Sequence, residues 1–330
     1  MPLTREDAAI FEERVSEKAR RLAERYGYLP YIVERYLELL GGEAEELLEA
    51  NEAPMPETFR CNDYRITCDE LASRLGEAGF HLARIPYLPH GFEVVGAPFS
   101  LGATHEYLKG YYYIQDPGSM LVGYLLEPRP SEVIFDMAAA PGGEASQALQ
   151  LTRDSALLIA VEPKRERVRA LRSNLHRLGF SSFVVVKQDA QRYEPPLRPD
   201  RVLLDAPSSG EGIIRKDPSR KRRTTISDLI KIHERQVSLL RKALTVVRPG
   251  GVVLYAACST AVEEGEYVIH KVLRGLDDIR VDPLGEFPFS KAFDEYRGVI
   301  FDERVSGCGR LFPHVHGTEG FFVCRLRRPG

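Results

Sequence analysis

Long apolar runs are missing from this 330-residue chain. No stretch reaches the roughly 18 consecutive apolar residues that a membrane-spanning helix needs. The opening MPLTREDAAIFEERV also lacks the basic-then-apolar order of a secretory signal, so a cytoplasmic protein with no membrane partner is expected. Positive charge is not in excess. With 45 Lys and Arg against 48 Asp and Glu, a net charge of −3 gives no global attraction for nucleic acid, and any basic footprint must come from local clustering. Cysteine is scarce. Cys61, Cys68, Cys258, Cys308 and Cys324 form an odd set without CxxC spacing, which argues against a disulfide framework and against a structural zinc knuckle. Reduced thiols and no metal are expected.

What is present is the composition of a globular protein, 43% hydrophobic and 28% charged, long enough for two domains or for one with a sizeable extension. Residues 1–50 hold 12 acids against 7 Lys and Arg, and AAIFEERVSEKARRLAERYG and YIVERYLELLGGEAEELLEA carry apolar residues at helical spacing. The two prolines of NEAPMPE break that pattern and set the first boundary, giving a helical segment over 1–55. Residues 56–110 read as a small α/β accessory subdomain with a helix over ITCDELASRLGEAGF, and 111–330 as the main domain.

In the main domain short apolar runs alternate with amphipathic helices: VIFD at 133–136, LLIAVE at 157–162, FVVVK at 183–187, RVLLD at 201–205 and GVVLYAAC at 251–258. Buried parallel strands read as continuous apolar runs because helices cover both faces, so this repetition predicts a doubly wound, Rossmann-like α/β sheet. FFVCRLR, preceded by GRLFPHVHGTEG, predicts an antiparallel C-terminal edge hairpin. Ligands of such sheets bind at the carboxyl ends of the strands. There the chain carries Asp136 before the small-residue loop Ala139-Ala140-Pro141-Gly142-Gly143, then Glu162, suited to a ribose, Asp189, suited to an adenine amino group, and Asp205. The G-x-G-x-x-G turn of dinucleotide-binding domains is absent, which disfavours a dehydrogenase.

YYIQDPGSM at 112–120, DMAAAPGGE at 136–144, LLDAPSSGEG at 203–212, LYAACS at 254–259 and GRLFPHVHGTEGFFVCRL at 309–326 together resemble the Sun-domain (Fmu-like, NOL/NOP/Sun) family of S-adenosylmethionine-dependent RNA cytosine-C5 methyltransferases. The resemblance runs over roughly residues 100–330. It implies a class I methyltransferase sheet, S-adenosylmethionine as cofactor, and tRNA or rRNA as substrate. It also implies a cofactor site lined by Ala138, Ala139, Ala140, Pro141, Gly142, Gly143, Glu144, Glu162, Arg167, Asp189 and Asp205. Carbon 5 of cytosine is a poor nucleophile, so its methylation requires a thiolate to add first at carbon 6. Cys258 matches the family's nucleophile, and Asp205 would hydrogen-bond or protonate the pyrimidine at N3.

Two positions depart from the family pattern. Ser208 stands where a second cysteine, implicated in resolving the covalent product, is usual. Glu144 stands where a lysine that helps hold the target nucleotide is common, with Lys164 or Lys216 as compensating cations. A noncatalytic or very slow RNA-binding or partner-binding protein of the same fold is the alternative. RKDPSRKRR at 215–223 places Arg215, Lys216, Arg220, Lys221, Arg222 and Arg223 directly after the Asp205 loop, where clustered cations would track RNA phosphate. Tyr111, Tyr112 and Tyr113 could stack on a base or belong to a core. His314 and His316, without further ligands at metal spacing, read as polar residues of the hairpin.

Overall fold

The computed structural model describes residues 4–330, so Met1, Pro2 and Leu3 of the expected helical segment lie outside the described residues. The chain forms two compact units. One comprises Met1–Met55, Ala206–Arg241 and Tyr255–Leu326, the other Pro56–Asp205, Lys242–Leu254 and Arg327–Gly330.

The second unit is built on four parallel strands, β1 (Val133–Asp136), β2 (Leu157–Val161), β3 (Phe183–Val186) and β4 (Arg201–Asp205), in the order β3-β2-β1-β4. β5 (Val252–Ala257) follows β4, its first N–H donating to the Asp200 carbonyl at 3.1 Å. Ile134, Phe135, Leu158, Ala160, Val161, Val202 and Leu204 are fully buried, as strands covered on both faces require. β3 is an outer strand and leaves Val184 half exposed. Helices Gly143–Leu151 and Arg165–Leu178 make the first two crossovers, the second ending on Gly179 in the left-handed conformation. Between β3 and β4 the expected helix is missing. Pro195, Pro196 and Pro199 crowd that connection, remove backbone donors and bar the α conformation from the residues before them.

The accessory strands form a separate antiparallel sheet in the order His81–Arg84, Gly91–Gly96, Thr58–Cys61, Tyr112–Ile114. Helix Cys68–Glu77, N-capped by the Thr67 side chain, contributes Leu71 and Leu75 to its core around Phe59, Phe92 and Tyr112.

In the first unit the N-terminal segment divides into Arg5–Ile10, Glu17–Tyr26, Pro30–Leu40 and Glu43–Ala50. Residues 11–16 separate the first two of these helices, and Ser16 starts the second, its hydroxyl accepting from the Ala19 N–H at 3.1 Å. The C-terminal hairpin is present as β6 (Gly309–Leu311) and β7 (Phe321–Arg327), with Gly309 opposite Val323. It is not the edge: Ser290–Lys291 pairs outside β6, and a four-residue helix, Pro313–His316, lies within the connection.

The cysteines correct the sequence expectation. Cys61 is disulfide-bonded to Cys68 and Cys308 to Cys324, with Cα separations of 5.8 and 4.4 Å. Cys308 precedes β6 by one residue, and the hairpin register that sets Gly309 opposite Val323 continues to Cys308 opposite Cys324. Cys61 ends a strand and Cys68 begins the next helix, a reversal that brings them together. Spacing along the chain carries no trace of either contact. Among the described residues no helix is long and apolar enough to cross a membrane.

Candidate functional site

The strand ends of the second unit lie level, Asp136 being opposite both Ala160 and Leu203. Asp136 is buried and accepts from the Ala138 N–H at 3.1 Å, which turns the chain into the small-residue loop. Burial pushes its carboxyl up to about 8. The loop crosses a cis Ala140–Pro141 bond and enters helix Gly143–Leu151 through Gly142 at φ 110°, a conformation only glycine adopts without strain. No N-cap side chain bonds the first turn of this helix, where the Glu144 carboxylate accepts from its own backbone N–H.

Glu162, one residue past β2, is buried. One of its oxygens accepts from the Lys164 N–H at 2.9 Å and the other pairs with Arg167 at 3.1 Å. The Arg167 guanidinium also donates to the Ala140 carbonyl, and Asn174 donates to that of Pro141 at 2.9 Å. Arg167 therefore tethers the loop to Glu162. Asp189, beyond β3, accepts from the Gln191 N–H at 3.1 Å. A carboxylate oxygen can accept more than one hydrogen bond, so a ligand hydroxyl or amino group can join the backbone donors already there. A helix start with no N-cap side chain beside carboxylates at neighbouring strand ends is a donor and acceptor set that fits a ligand with an anionic group, a ribose and an adenine. Ala138 through Glu144, Glu162 and Arg167 thus come together, and Asp189 and Asp205 close other strands of the same sheet. Glu144 has Gln115, Ser119 and Arg60 as its partners in this unit.

Cys258 belongs to the first unit, half-buried one residue past β5. The N–H of Ala206, the residue after Asp205, donates to the Ala256 carbonyl at 2.8 Å, and the N–H of Gly212 donates to the Cys258 carbonyl at 3.1 Å. A buried carboxylate locks this arrangement. Glu264 accepts from the Ser209 N–H at 2.8 Å, from the hydroxyls of Ser209 and Ser259, and from Gln236 at 3.1 Å. Gln236 also holds the Pro207 carbonyl at 3.1 Å, next to Ser208. Burial pushes the Glu264 carboxyl up, while the two serines draw it back.

A second buried set lies against the first. Arg35, from the N-terminal helices, is ion-paired with Glu211 and, at 3.2 Å, with Glu263. Arg310 is ion-paired with Glu266 and donates to the Thr260 carbonyl at 3.1 Å. These charged residues are all nearly or wholly buried, so each carboxylate that lost its arginine would be stranded in the interior. The acids Glu263, Glu264 and Glu266 so soon after Cys258 were a sequence signal for this scaffold, whereas Arg35 carried none.

The basic run divides in two. Arg215 donates to the carbonyls of Ala53, Pro54 and Gly317 at 3.1, 2.8 and 3.0 Å. Arg220 bonds Asp217 and the Ser209 carbonyl, each at 2.9 Å, and Lys221 is buried on Glu52 and the Tyr26 carbonyl. These three cations are turned into the protein. Lys216, Arg222 and Arg223 are exposed, with the Arg222 Nε donating to the Gly27 carbonyl at 2.8 Å. Tyr112 and Tyr113 are buried, while Tyr111 is half-buried near Arg74 and Lys109. His316 accepts from the Phe312 N–H at 2.9 Å, and His314 stands 3.4 Å from Glu43.

Residues 123–327 match the family model of the 16S rRNA methyltransferase RsmB/F, and residues 29–117 that of the N-terminal domain of 16S rRNA methyltransferase RsmF. The 25S rRNA (cytosine-C(5))-methyltransferase nop2 of Schizosaccharomyces pombe is 34% identical over 96% of this chain and 53% of its own length. The ribosomal RNA small subunit methyltransferase F of Erwinia tasmaniensis is 32% identical over 91% of this chain and 63% of its own length. The crystal structure of a methyltransferase homolog protein from Pyrococcus horikoshii superimposes with a TM-score of 0.84 at 34% identity, covering 95% of this chain and 100% of that one. The chain spans about half the length of the curated relatives it matches.

Proposed function

The chain belongs to the RsmB/F family of 16S rRNA methyltransferases, and on that premise we propose that it transfers a methyl group from S-adenosylmethionine to carbon 5 of a cytosine in ribosomal RNA. One observation carries the reading. Four of the five cysteines are consumed in disulfides, and Cys258, on the loop braced by Glu264, keeps the thiol that this chemistry needs.

The cofactor, when bound, supplies an electrophilic methyl on a sulfonium. Ala138 through Glu144 would hold it with backbone groups, Glu162 would accept from its ribose and Asp189 from its adenine. Arg167, tethered to Ala140, keeps the loop in the shape that receives it. Cys258 adds its thiolate to carbon 6 of the cytosine, and the electrons of the C5–C6 double bond make carbon 5 nucleophilic. Asp205 hydrogen-bonds N3 and stabilises the charge that develops there after addition. Once carbon 5 is methylated, loss of its proton restores the double bond and expels Cys258. Ser208 supplies no thiol for that proton, so a water or another base removes it. Lys216, Arg222 and Arg223 would attract the RNA backbone.

Incubating the protein with ribosomal RNA and methyl-labelled S-adenosylmethionine, then digesting the RNA to nucleosides, tests the reading. Label in 5-methylcytidine is expected. Label confined to another nucleoside, or absent from ribosomal RNA of every subunit, overturns it.

A further inference from the structure

Arg60 lies on the accessory strand Thr58–Cys61, more than 80 residues before the cofactor loop's helix, yet its guanidinium is buried beneath that helix. It donates to the Gly143 carbonyl at 2.9 Å, to the Ser146 hydroxyl at 2.7 Å and to the Gln150 side chain at 2.9 Å. A fourth bond goes to the side-chain oxygen of Gln115, whose amide nitrogen in turn donates to Glu144 at 3.1 Å. Gln115 is thus a relay with its acceptor toward the cation and its donor toward the anion.

A cation set under a helix N-terminus opposes the helix dipole, and a buried guanidinium requires a nearby anion. Burial draws Arg60 down to about 10 and pushes the Glu144 carboxyl up, while each is stabilised by the charge of the other. A lysine at position 144 would place a second cation beside Arg60.

We propose that Glu144 and Arg60, joined through Gln115, form one charge-compensated unit that sets the first turn of helix Gly143–Leu151, which makes Arg60 a positioning residue for the cofactor loop. The acid at 144 then balances the Arg60 cation. The identity of the ligand rests on the methyltransferase reading, whereas the coupling does not.

The 330-residue parent, Arg60→Met, Glu144→Gln, the double variant and Glu144→Lys are compared in thermal unfolding and in calorimetric titration with S-adenosylmethionine. Each single substitution should lower the melting temperature, and the double variant should recover most of the sum of the two losses. Glu144→Lys should weaken cofactor binding about tenfold or more. Strictly additive losses in the double variant, or unchanged or tighter binding by Glu144→Lys, would overturn the proposal. If Arg60→Met does not fold, Arg60→Gln completes the same cycle, since it also removes the charge while keeping a hydrogen-bonding side chain. A parent that binds no S-adenosylmethionine would count against the methyltransferase reading alone, because the unfolding cycle still decides the coupling.

Discussion

The backbone N–H of Gly212 donates to the carbonyl of Cys258 at 3.1 Å, so the loop that follows Asp205 is fastened to the residue that carries the thiol. Gly320 donates its own N–H to the Gly212 carbonyl at 2.9 Å and brings a third loop into the same contact. A Cβ on Gly212 would stand 1.8 Å from the Gly320 carbonyl oxygen and 2.8 Å from the Cys258 carbonyl carbon. Neither neighbour is the end of a flexible side chain. Gly212→Ala should therefore destabilise the protein by about 3 kcal/mol in urea unfolding and shift the Cys258 backbone. A variant as stable as the parent would show that these loops yield easily.

The division of the basic run gives a contrast within one segment. Arg215→Ala strands three backbone carbonyls and should lower the unfolding midpoint. Replacing Lys216, Arg222 and Arg223 together with Gln should lower the midpoint less than Arg215→Ala does, since Arg222 holds one carbonyl where Arg215 holds three. The same triple variant should weaken RNA binding and make its dependence on salt less steep, by about one unit of slope for each phosphate it no longer neutralises. Filter binding at several salt concentrations reads the slope, and an unchanged slope would mean that the outward cations touch no phosphate.

Asp136 makes stability depend on pH. Its carboxyl sits at about 8 in the folded chain against an ordinary 3.8, so between those values the folded state holds a proton that the unfolded state has released. The stability tied to that proton is complete below about pH 4 and is lost as pH rises through about 8. Asp136→Asn removes the effect. The variant should gain on the parent as pH rises across this window, at up to about 1.4 kcal/mol per pH unit, and the difference should be flat below pH 4. Denaturant titrations at a series of pH values measure it, and parallel curves for the two proteins would contradict the assignment.

The five central strands were legible in the sequence to within a residue because strands buried on both faces leave unbroken apolar runs. The small-residue loop before helix Gly143–Leu151 was legible for a related reason, since Gly142 and Pro141 mark a turn between a strand and a helix whatever surrounds them. Arg60, Gln115 and Arg35 were not. Their roles depend on partners far along the chain, and each reads locally as an ordinary polar residue of a strand, loop or helix. The Cys308–Cys324 bond stood between these cases: it follows from the register of a hairpin that the sequence did suggest, but not from cysteine spacing. In the basic run, composition announced six cations and could not say that Arg215, Arg220 and Lys221 point inward.

The central claim is that Cys258 is the attacking thiol, and methyl transfer by a Cys258→Ala variant tests it most directly. Parent and variant are incubated with ribosomal RNA and labelled S-adenosylmethionine under identical conditions, after circular dichroism has shown both folded. The parent should place label in 5-methylcytidine and the variant none above background, because no other cysteine retains a thiol to add to carbon 6. Labelled 5-methylcytidine from a pure Cys258→Ala preparation would contradict the account.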